Sequence, residues 1–360
     1  MKLSEIAHGK NNNFNLIRML AALAVLFTHS FALSTGSSAA EPLRTTLGLT
    51  WGDIAVNIFF VTSGFLVTAS LLTRNNAIDF VWARVLRIYP ALWFMLSLTV
   101  FGLGAFFTAY QFNVYFGDRI TWHYLLKNAI LISGVHYELP GVFQDTPTKG
   151  AVNGSLWTLV PEVRVYALLL AVWIAASFVR CHRLAALRLS IIAIVAISGA
   201  WYLYHGLFEP RGSFPRLTFM FFTGARLYVL RDKMELSRPL FWLLLATLWL
   251  SLISRTTFFF VFNAILGYIL MYAAYAFGGS IRAFNRLGDY SYGVYIYAFP
   301  VQQSLVALVH EISVPELMVC SATITLALAV LSWHLVEKRA LGLKTVCADR
   351  TKYWIHSWRG

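Results

Sequence analysis

Charged residues are scarce in this sequence. Only 12% of its 360 residues are Asp, Glu, Lys or Arg, whereas soluble domains contain about 25%. Hydrophobic residues make up 58% of the chain, and aromatic residues 16%. This composition excludes a soluble protein built around a single core, and it indicates a chain that is solvated largely by a lipid bilayer.

Cysteines are few, and common metal-binding and phosphate-binding patterns are absent. The three cysteines, Cys181, Cys320 and Cys347, lie far apart, so we expect no disulfide framework. The nine histidines show neither HxxxH nor HExxH spacing, and neither of the Gly-rich phosphate loops occurs. We therefore expect no metal ion and no nucleotide site of either classical type.

Long apolar segments dominate instead. A membrane-spanning helix needs about 20 apolar residues, because it rises 1.5 Å per residue across about 30 Å of hydrocarbon. The pattern predicts an all-α integral membrane protein, a bundle of about ten transmembrane helices, with nine or eleven as alternatives. The predicted spans are residues 14–33, 51–72, 88–108, 155–178, 189–204, 214–230, 239–254, 257–277, 290–309 and 316–336.

The basic residues indicate an orientation rather than a nucleic-acid partner. The chain has 29 Lys and Arg against 16 Asp and Glu, and most of the basic residues fall in alternate connecting segments and at the C-terminal end. Because cytoplasmic segments are enriched in Lys and Arg, both termini are predicted to be cytoplasmic. Residues 1–338 are predicted to form one transmembrane domain, and residues 339–360 a basic cytoplasmic tail.

Two ionisable residues in the first predicted span are unusual. Charged groups inside a span are costly and normally face a bundle interior or a wet cavity, so Arg18 and His29 are candidate site residues. Their separation of eleven residues places both on one helix face, about 16 Å apart along the axis. For Arg18 the alternative is a side chain that reaches the headgroup layer.

The fourth predicted span contains a carboxylate. Glu162 is expected at a depth similar to that of His29, and Tyr166 follows four residues later on the same helix face. A carboxylate beside a histidine fixes its tautomer and stabilises its protonated form. Glu162 is therefore a candidate partner of His29.

Arg84 and Arg87 lie three residues apart just before the third predicted span. Guanidinium groups bind phosphate through bidentate, charge-assisted hydrogen bonds. The two arginines are candidate ligands of a phosphate-bearing donor, with ordinary topological anchoring as the alternative. The long outer segment 109–153 is predicted either to serve a function or to be a simple surface loop, and its stretch 122–133 could lie on the membrane surface.

Six motifs occur in order along the chain. They are Arg18 and His29 separated by ten residues, segments 56–66 and 84–90, Ser155-Leu156-Trp157-Thr158-Leu159 followed by Glu162 and Tyr166, segment 288–295, and Val336-Glu337-Lys338. Together they resemble the membrane-bound acyltransferase 3 family of bacterial O-acyltransferases. Three positions depart from that family's pattern: Asn15 and Asn57 where aspartate is frequent, and Ala298 where a histidine is common.

The resemblance implies a multi-pass enzyme of the bacterial inner membrane. Its expected reaction transfers an acyl group, usually acetyl from acetyl-coenzyme A, to a hydroxyl of an envelope polysaccharide or lipid-linked glycan. Many relatives carry a C-terminal hydrolase-like domain that is not found here, so direct acylation of the glycan is expected.

The resemblance also assigns roles. His29 and Glu162 would be catalytic, with His29 acting either as general base or through an acyl-histidine, and the two routes stay open. Donor-binding residues would be Arg18, Arg84 and Arg87. The resemblance does not assign the acceptor site, for which Ser155, Trp157 and Tyr166 are our candidates, because the acceptor glycan is expected to approach from the outer face.

Two other classes of protein would share some of these features. A transporter or flippase of envelope glycans without acyl chemistry would also have about ten spans and buried charges. It would be expected to show paired halves with matching broken helices, and no such symmetry is visible. A membrane sensor whose His29 merely titrates would not need the arginines before the third span.

Overall fold

The structure, a computed structural model, describes residues 1–7, 9, 11–208 and 213–358. Regular structure in those residues is helical, accompanied only by isolated β-bridges. Each predicted apolar segment overlaps one helix. These helices are α1 (Phe14–Thr35), α2 (Trp51–Arg74), α3 (Ala77–Phe107), α4 (Gly154–Ser177), α5 (Arg183–Phe208), α6 (Ser213–Val229), α7 (Arg238–Ser251), α8 (Arg255–Tyr275), α9 (Ser291–Leu308) and α10 (Val314–Ser357).

Seven helices in the described part of the chain are long and apolar enough to cross a membrane: α1 to α5, α8 and α10. Helix α7 has only 14 residues, which rise about 21 Å, and the 17-residue α6 carries Arg216 and Arg226. Helix α9 contains Gln302 and Gln303 among its 18 residues. An all-α integral membrane protein is confirmed, whereas the count of about ten spans and the cytoplasmic termini stay predictions.

Helix α3 begins eleven residues earlier than the apolar segment predicts. The Asn76 side-chain oxygen accepts hydrogen bonds from the backbone N–H groups of Ile78 and Asp79, which caps the helix. The first three turns are amphipathic rather than apolar, so hydropathy alone misses them. Arg84 and Arg87 consequently lie on the helix itself and not in a connecting segment.

The predicted tail is helical as well. Helix α10 continues past residue 338 through Lys338–Gly342 and, after a turn at Leu343, through Lys344–Ser357. The Trp82 indole N–H donates to Thr351 Oγ1 at 2.9 Å, so the tail packs on the start of α3. Residues 359–360 lie outside the described part of the chain.

The segment between α3 and α4 is packed rather than loose. It contains the short helices Phe112–Gly117 and Arg119–Ile130, and Tyr115 is fully buried with its hydroxyl donating to the Val100 carbonyl at 3.0 Å. Partial burial lowers the pKa of His136, and the charges of His123 and Lys127 lower it further. The Arg119–Ile130 helix exposes three apolar side chains four residues apart, a pattern that favours a position at the membrane surface: Trp122, Leu126 and Ile130.

The chain divides into two compact units, each described by itself. The first comprises Met1–Ala21, Glu41–Ser70 and Pro161–Gly288, and the second comprises Ala22–Ala40, Leu71–Val160 and Asp289–Gly360.

In the first unit, α2 and α6 approach each other at two glycines. A Cβ added to Gly64 would lie 1.8 Å from the Phe221 carbonyl oxygen, and one added to Gly224 would lie 2.0 Å from the Val61 carbonyl oxygen. Backbones come this close only where both side chains are absent, as is typical of helix pairs in membranes.

We expect Gly224→Ala to lower the thermal stability of the purified protein, because the added methyl group must push α2 and α6 apart. Overpacking of this kind costs about 1–3 kcal/mol. Gly102→Ala is the matched control, since Gly102 is also helical but has no atom within 4 Å of the added Cβ. Equal melting temperatures for the two variants in detergent would contradict the close approach.

Candidate functional site

His29 lies on α1, in the second unit. Its Nδ1 is fully buried and makes no hydrogen bond within the described residues, although the residue as a whole is only half-buried. Its ring meets the Phe299 ring edge-on, with centroids 5.1 Å apart and planes at 78°. Packing against an aromatic ring, rather than a hydrogen bond, therefore orients this imidazole.

Phe299 also touches the start of α4. A Cβ added to Gly154 would lie 2.6 Å from Phe299 Cε2, so the aromatic ring occupies the space that a side chain would need. The Asn153 amide holds this segment in place, because its Nδ2 donates to the Ile296 carbonyl at 2.9 Å and its Oδ1 accepts from the Ser155 N–H at 3.1 Å. His29, Phe299 and the 153–155 segment thus form one packed group.

Two of the predicted acceptor-binding residues belong to the same group. Ser155 is fully buried, and its Oγ makes no hydrogen bond within the described residues, while Trp157 is half-buried. The Ser155 carbonyl accepts from the Tyr295 hydroxyl at 3.0 Å, and Tyr295 also lies 2.6 Å from Thr158 Oγ1. The short 3₁₀ turn that contains Ser155 and Trp157 is therefore hydrogen-bonded to α9.

Two neighbouring glutamines extend this polar group. Gln302 Nε2 donates to the Leu26 carbonyl at 2.9 Å and to Ser30 Oγ at 2.7 Å, next to His29 in sequence. Gln303 Nε2 donates to the Ala151 carbonyl at 2.6 Å. Both Oε1 atoms are buried and lack a partner within the described residues. Buried polar atoms of this kind cost about 1–3 kcal/mol each unless a ligand satisfies them.

Sequence reasoning missed Phe299, Gln302 and Gln303. Two adjacent glutamines in an apolar helix are the signal that could have identified them, because polar side chains in spans mark substrate pathways. Phe299 had no such signal.

Glu162 and Tyr166 lie in the first unit, on one face of α4 as predicted. The Tyr166 hydroxyl donates to Glu162 Oε1, and Ser63 Oγ on α2 lies 2.8 Å from the same hydroxyl. A hydrogen-bonded chain therefore runs from α2 to Glu162, and Ser63 was not predicted. The pairing of Glu162 with His29 stays a prediction.

Arg18 belongs to the first unit too. Its guanidinium carbon lies 5.7 Å from the centroid of the Phe59 ring, a cation–π geometry. Its Nε is buried without a hydrogen-bond partner in the described residues. Asn57, where relatives frequently have aspartate, is fully buried, and neither polar atom of its amide has such a partner.

Arg87 sits in a cluster of acidic residues in the second unit. Its Nη2 lies 2.5 Å from Asp289 Oδ2, its Nη1 lies 3.4 Å from Glu337 Oε2, and its guanidinium faces the Tyr292 ring at 5.6 Å. Two carboxylates therefore already surround the guanidinium, which joins α3 to α9 and α10. Arg84, one turn away, is half-buried.

Metal-binding geometry is lacking in residues 1–7, 9, 11–208 and 213–358, where His, Cys, Asp and Glu form no group of three or more that could hold an ion.

Residues 11–334 match a family model described as an acyltransferase domain. The chain belongs to the membrane-bound acyltransferase 3 family. The sequence resemblance is therefore confirmed over nearly the whole length. No solved structure matches the chain significantly.

Several curated relatives are similar along most of the chain. An O-acetyl transferase of Shigella phage Sf6 is 28% identical over 343 residues, covering 92% of this chain and 96% of the relative. Nodulation protein 10 of Rhizobium leguminosarum bv. viciae is 30% identical over 387 residues, covering 96% of this chain and 98% of the relative. A Bacillus subtilis protein provisionally named a peptidoglycan O-acetyltransferase is 26% identical, and the alignment covers 84% of this chain and 54% of that protein.

We expect Arg87→Ala to destabilise the protein, because it removes the ion pair with Glu337, which is only 2% exposed. Breaking a buried ion pair in this way costs about 3–5 kcal/mol. The double variant Arg87→Ala/Glu337→Gln should recover part of the loss, since an amide is less costly to bury than a carboxylate. Melting temperatures in detergent measure both, and a double variant no more stable than the single one would contradict a structural role for the pair.

Proposed function

We propose that this acyltransferase transfers an acyl group, in the first instance acetyl from acetyl-coenzyme A, to a hydroxyl of a cell-envelope polysaccharide or lipid-linked glycan. Family membership supports O-acyl transfer, and the names of two relatives refer to O-acetyl transfer. The donor, the acceptor and the bacterial inner membrane as the location are parts of the proposal.

One observation carries the proposal: the helices and turn that pack around His29 and Phe299 contain several buried polar atoms that lack partners in the described residues. Four of these atoms are His29 Nδ1, Ser155 Oγ, Gln302 Oε1 and Gln303 Oε1. Hydrocarbon offers these atoms no hydrogen bonds, so an apolar substrate would leave them unsatisfied. A sugar, with many hydroxyl groups, is a ligand that would satisfy them.

His29 would remove the proton from the acceptor hydroxyl as the hydroxyl oxygen attacks the acyl carbonyl. The carbon–sulfur bond of the thioester then breaks, and the proton passes from His29 to the departing thiolate. General base catalysis of this kind contributes about 10²- to 10⁴-fold in rate. An acyl-histidine formed on the same ring is the alternative, and the proposal keeps Glu162 as a catalytic carboxylate.

One of the three predicted donor-binding arginines is poorly suited to a phosphate. Asp289 and Glu337 already pair with Arg87 and would repel a phosphate that approached it. We therefore assign a positioning role to Arg87. Donor binding stays proposed for Arg18 and Arg84, as the sequence resemblance implies.

For the acceptor, Trp157 offers an aromatic surface beside the polar atoms of Ser155. Tyr166, the third predicted acceptor residue, has its hydroxyl engaged with Glu162 and Ser63. Ser155 and Trp157 are therefore the better candidates for contacts with the sugar.

We expect His29→Ala to abolish envelope acylation while the protein is still produced and folded. His310→Ala is the matched control, because the side chain of His310 is 93% exposed. Mass spectrometry of envelope glycans from cells that carry each variant or lack the gene would show the mass of the transferred acyl group. Retained acylation with His29→Ala would remove His29 from the mechanism. Acylation that does not depend on the gene would favour a transporter.

Arg84→Ala should weaken acetyl-coenzyme A binding by about tenfold or more, because a hydrogen bond to a charged group contributes about 1.5–3 kcal/mol. Titration calorimetry on the purified protein would measure the dissociation constant. Arg74→Ala serves as the control, since Arg74 is an exposed arginine at the end of α2. Equal affinity for the two variants would mean that Arg84 is only a topological anchor.

A further inference from the structure

The C-terminal helix Lys344–Ser357, called here the tail helix, is fixed on one side by α3. Lys352 Nζ lies 2.6 Å from Asp79 Oδ1, Trp82 donates to Thr351, and Ala348 is only 2% exposed. These contacts define which face of the tail helix points toward the protein.

Leu343 separates the tail helix from the rest of α10, because it forms a turn between the helical residues on either side. Contacts with α3 occur on both sides of this turn. Glu337 pairs with Arg87 before it, and Lys352 pairs with Asp79 after it. The tail helix is therefore a separate segment that packs on the start of α3.

The rest of the tail helix is divided into an apolar and a polar face. Six residues of the segment 343–358 are apolar or aromatic and exposed, and at about 100° per residue five of them occupy one arc of about 140°: Leu343 (51% exposed), Val346 (48%), Tyr353 (75%), Trp354 (66%) and Trp358 (81%). The sixth, Ile355 (41%), lies beside Ala348 on the packed face. Polar residues occupy a second arc, on the other flank of the packed face: Thr345, Asp349 and His356.

We propose that the tail helix lies in the interfacial layer of an anionic membrane leaflet, with its aromatic arc against the acyl boundary and its polar arc in water. The helix follows the spanning part of α10 after the basic pair Lys338 and Arg339, which places it at headgroup level. Tyr and Trp side chains concentrate at that level because they combine an apolar ring with a polar group. Arg350, within the aromatic arc, reaches the anionic headgroups.

Site-directed spin labelling tests this arrangement on the full chain. In a variant with Cys181, Cys320 and Cys347 replaced by Ser, a nitroxide would be attached at Trp354→Cys or, as the matched control, at Asp349→Cys. In vesicles of phosphatidylcholine with phosphatidylglycerol, the label at position 354 should be relaxed mainly by oxygen, which concentrates in the lipid. The label at position 349 should be relaxed mainly by a water-soluble nickel chelate. In a second protein, only Cys181 and Cys320 are replaced by Ser, and the label is attached to the native Cys347. Cys347 also lies on the aromatic arc, so this protein needs no substitution in the tail helix.

Accessibility of both positions 354 and 347 to the nickel chelate would overturn the proposal, because the aromatic arc would then face water. The oxygen accessibility of position 354 should fall when phosphatidylglycerol is omitted. An unchanged value would overturn the preference for anionic lipid. Neither result depends on the acyl-transfer reaction.

Discussion

Hydrocarbon provides no hydrogen-bond partner, so a polar group that this chain places inside a span costs free energy unless the protein or a ligand satisfies it. Much of the second unit is organised by this constraint. Arg87 on α3 forms ion pairs with Asp289 and Glu337. Hydrogen bonds of Asn153 join the start of α4 to α9, and those of Gln302 join α9 to α1. The helices are thus held in register by polar contacts in addition to packing.

The same constraint distinguishes Arg87 from the proposed site residues. Arg87 is costly to bury but has two carboxylates, so its environment accounts for it without a ligand. His29, Ser155 and the two glutamines each retain a buried polar atom without a partner in the described residues. These atoms cost free energy in the protein alone, and the polar acceptor that we propose would satisfy them.

Sequence patterns located the helices and the family, but not the contacts that define the site. Long apolar runs mark α1 to α10 because hydropathy is a local property, and Arg18, His29 and Glu162 stood out as charges within those runs. Asp289 and Glu337 were visible in motifs, yet their role depends on Arg87, about 200 residues or more distant in the chain. Phe299 is one apolar residue among many in α9, and only packing distinguishes it. The early start of α3 was missed because its first turns are amphipathic.

Arg84 and Arg87 show that two residues of one sequence motif can have different environments. Both arginines belong to one segment that resembles the family, and a spacing of three residues turns their side chains about 60° apart on the helix. One of them faces two carboxylates. A phosphate about 4 Å from a carboxylate would experience repulsion of about 4 kcal/mol at an effective dielectric constant of 20, which opposes the attraction of Arg87. The two arginines of the motif therefore need not share one role: Arg87 fixes α3 against α9 and α10, and Arg84 on the same helix is the residue that we propose for the donor.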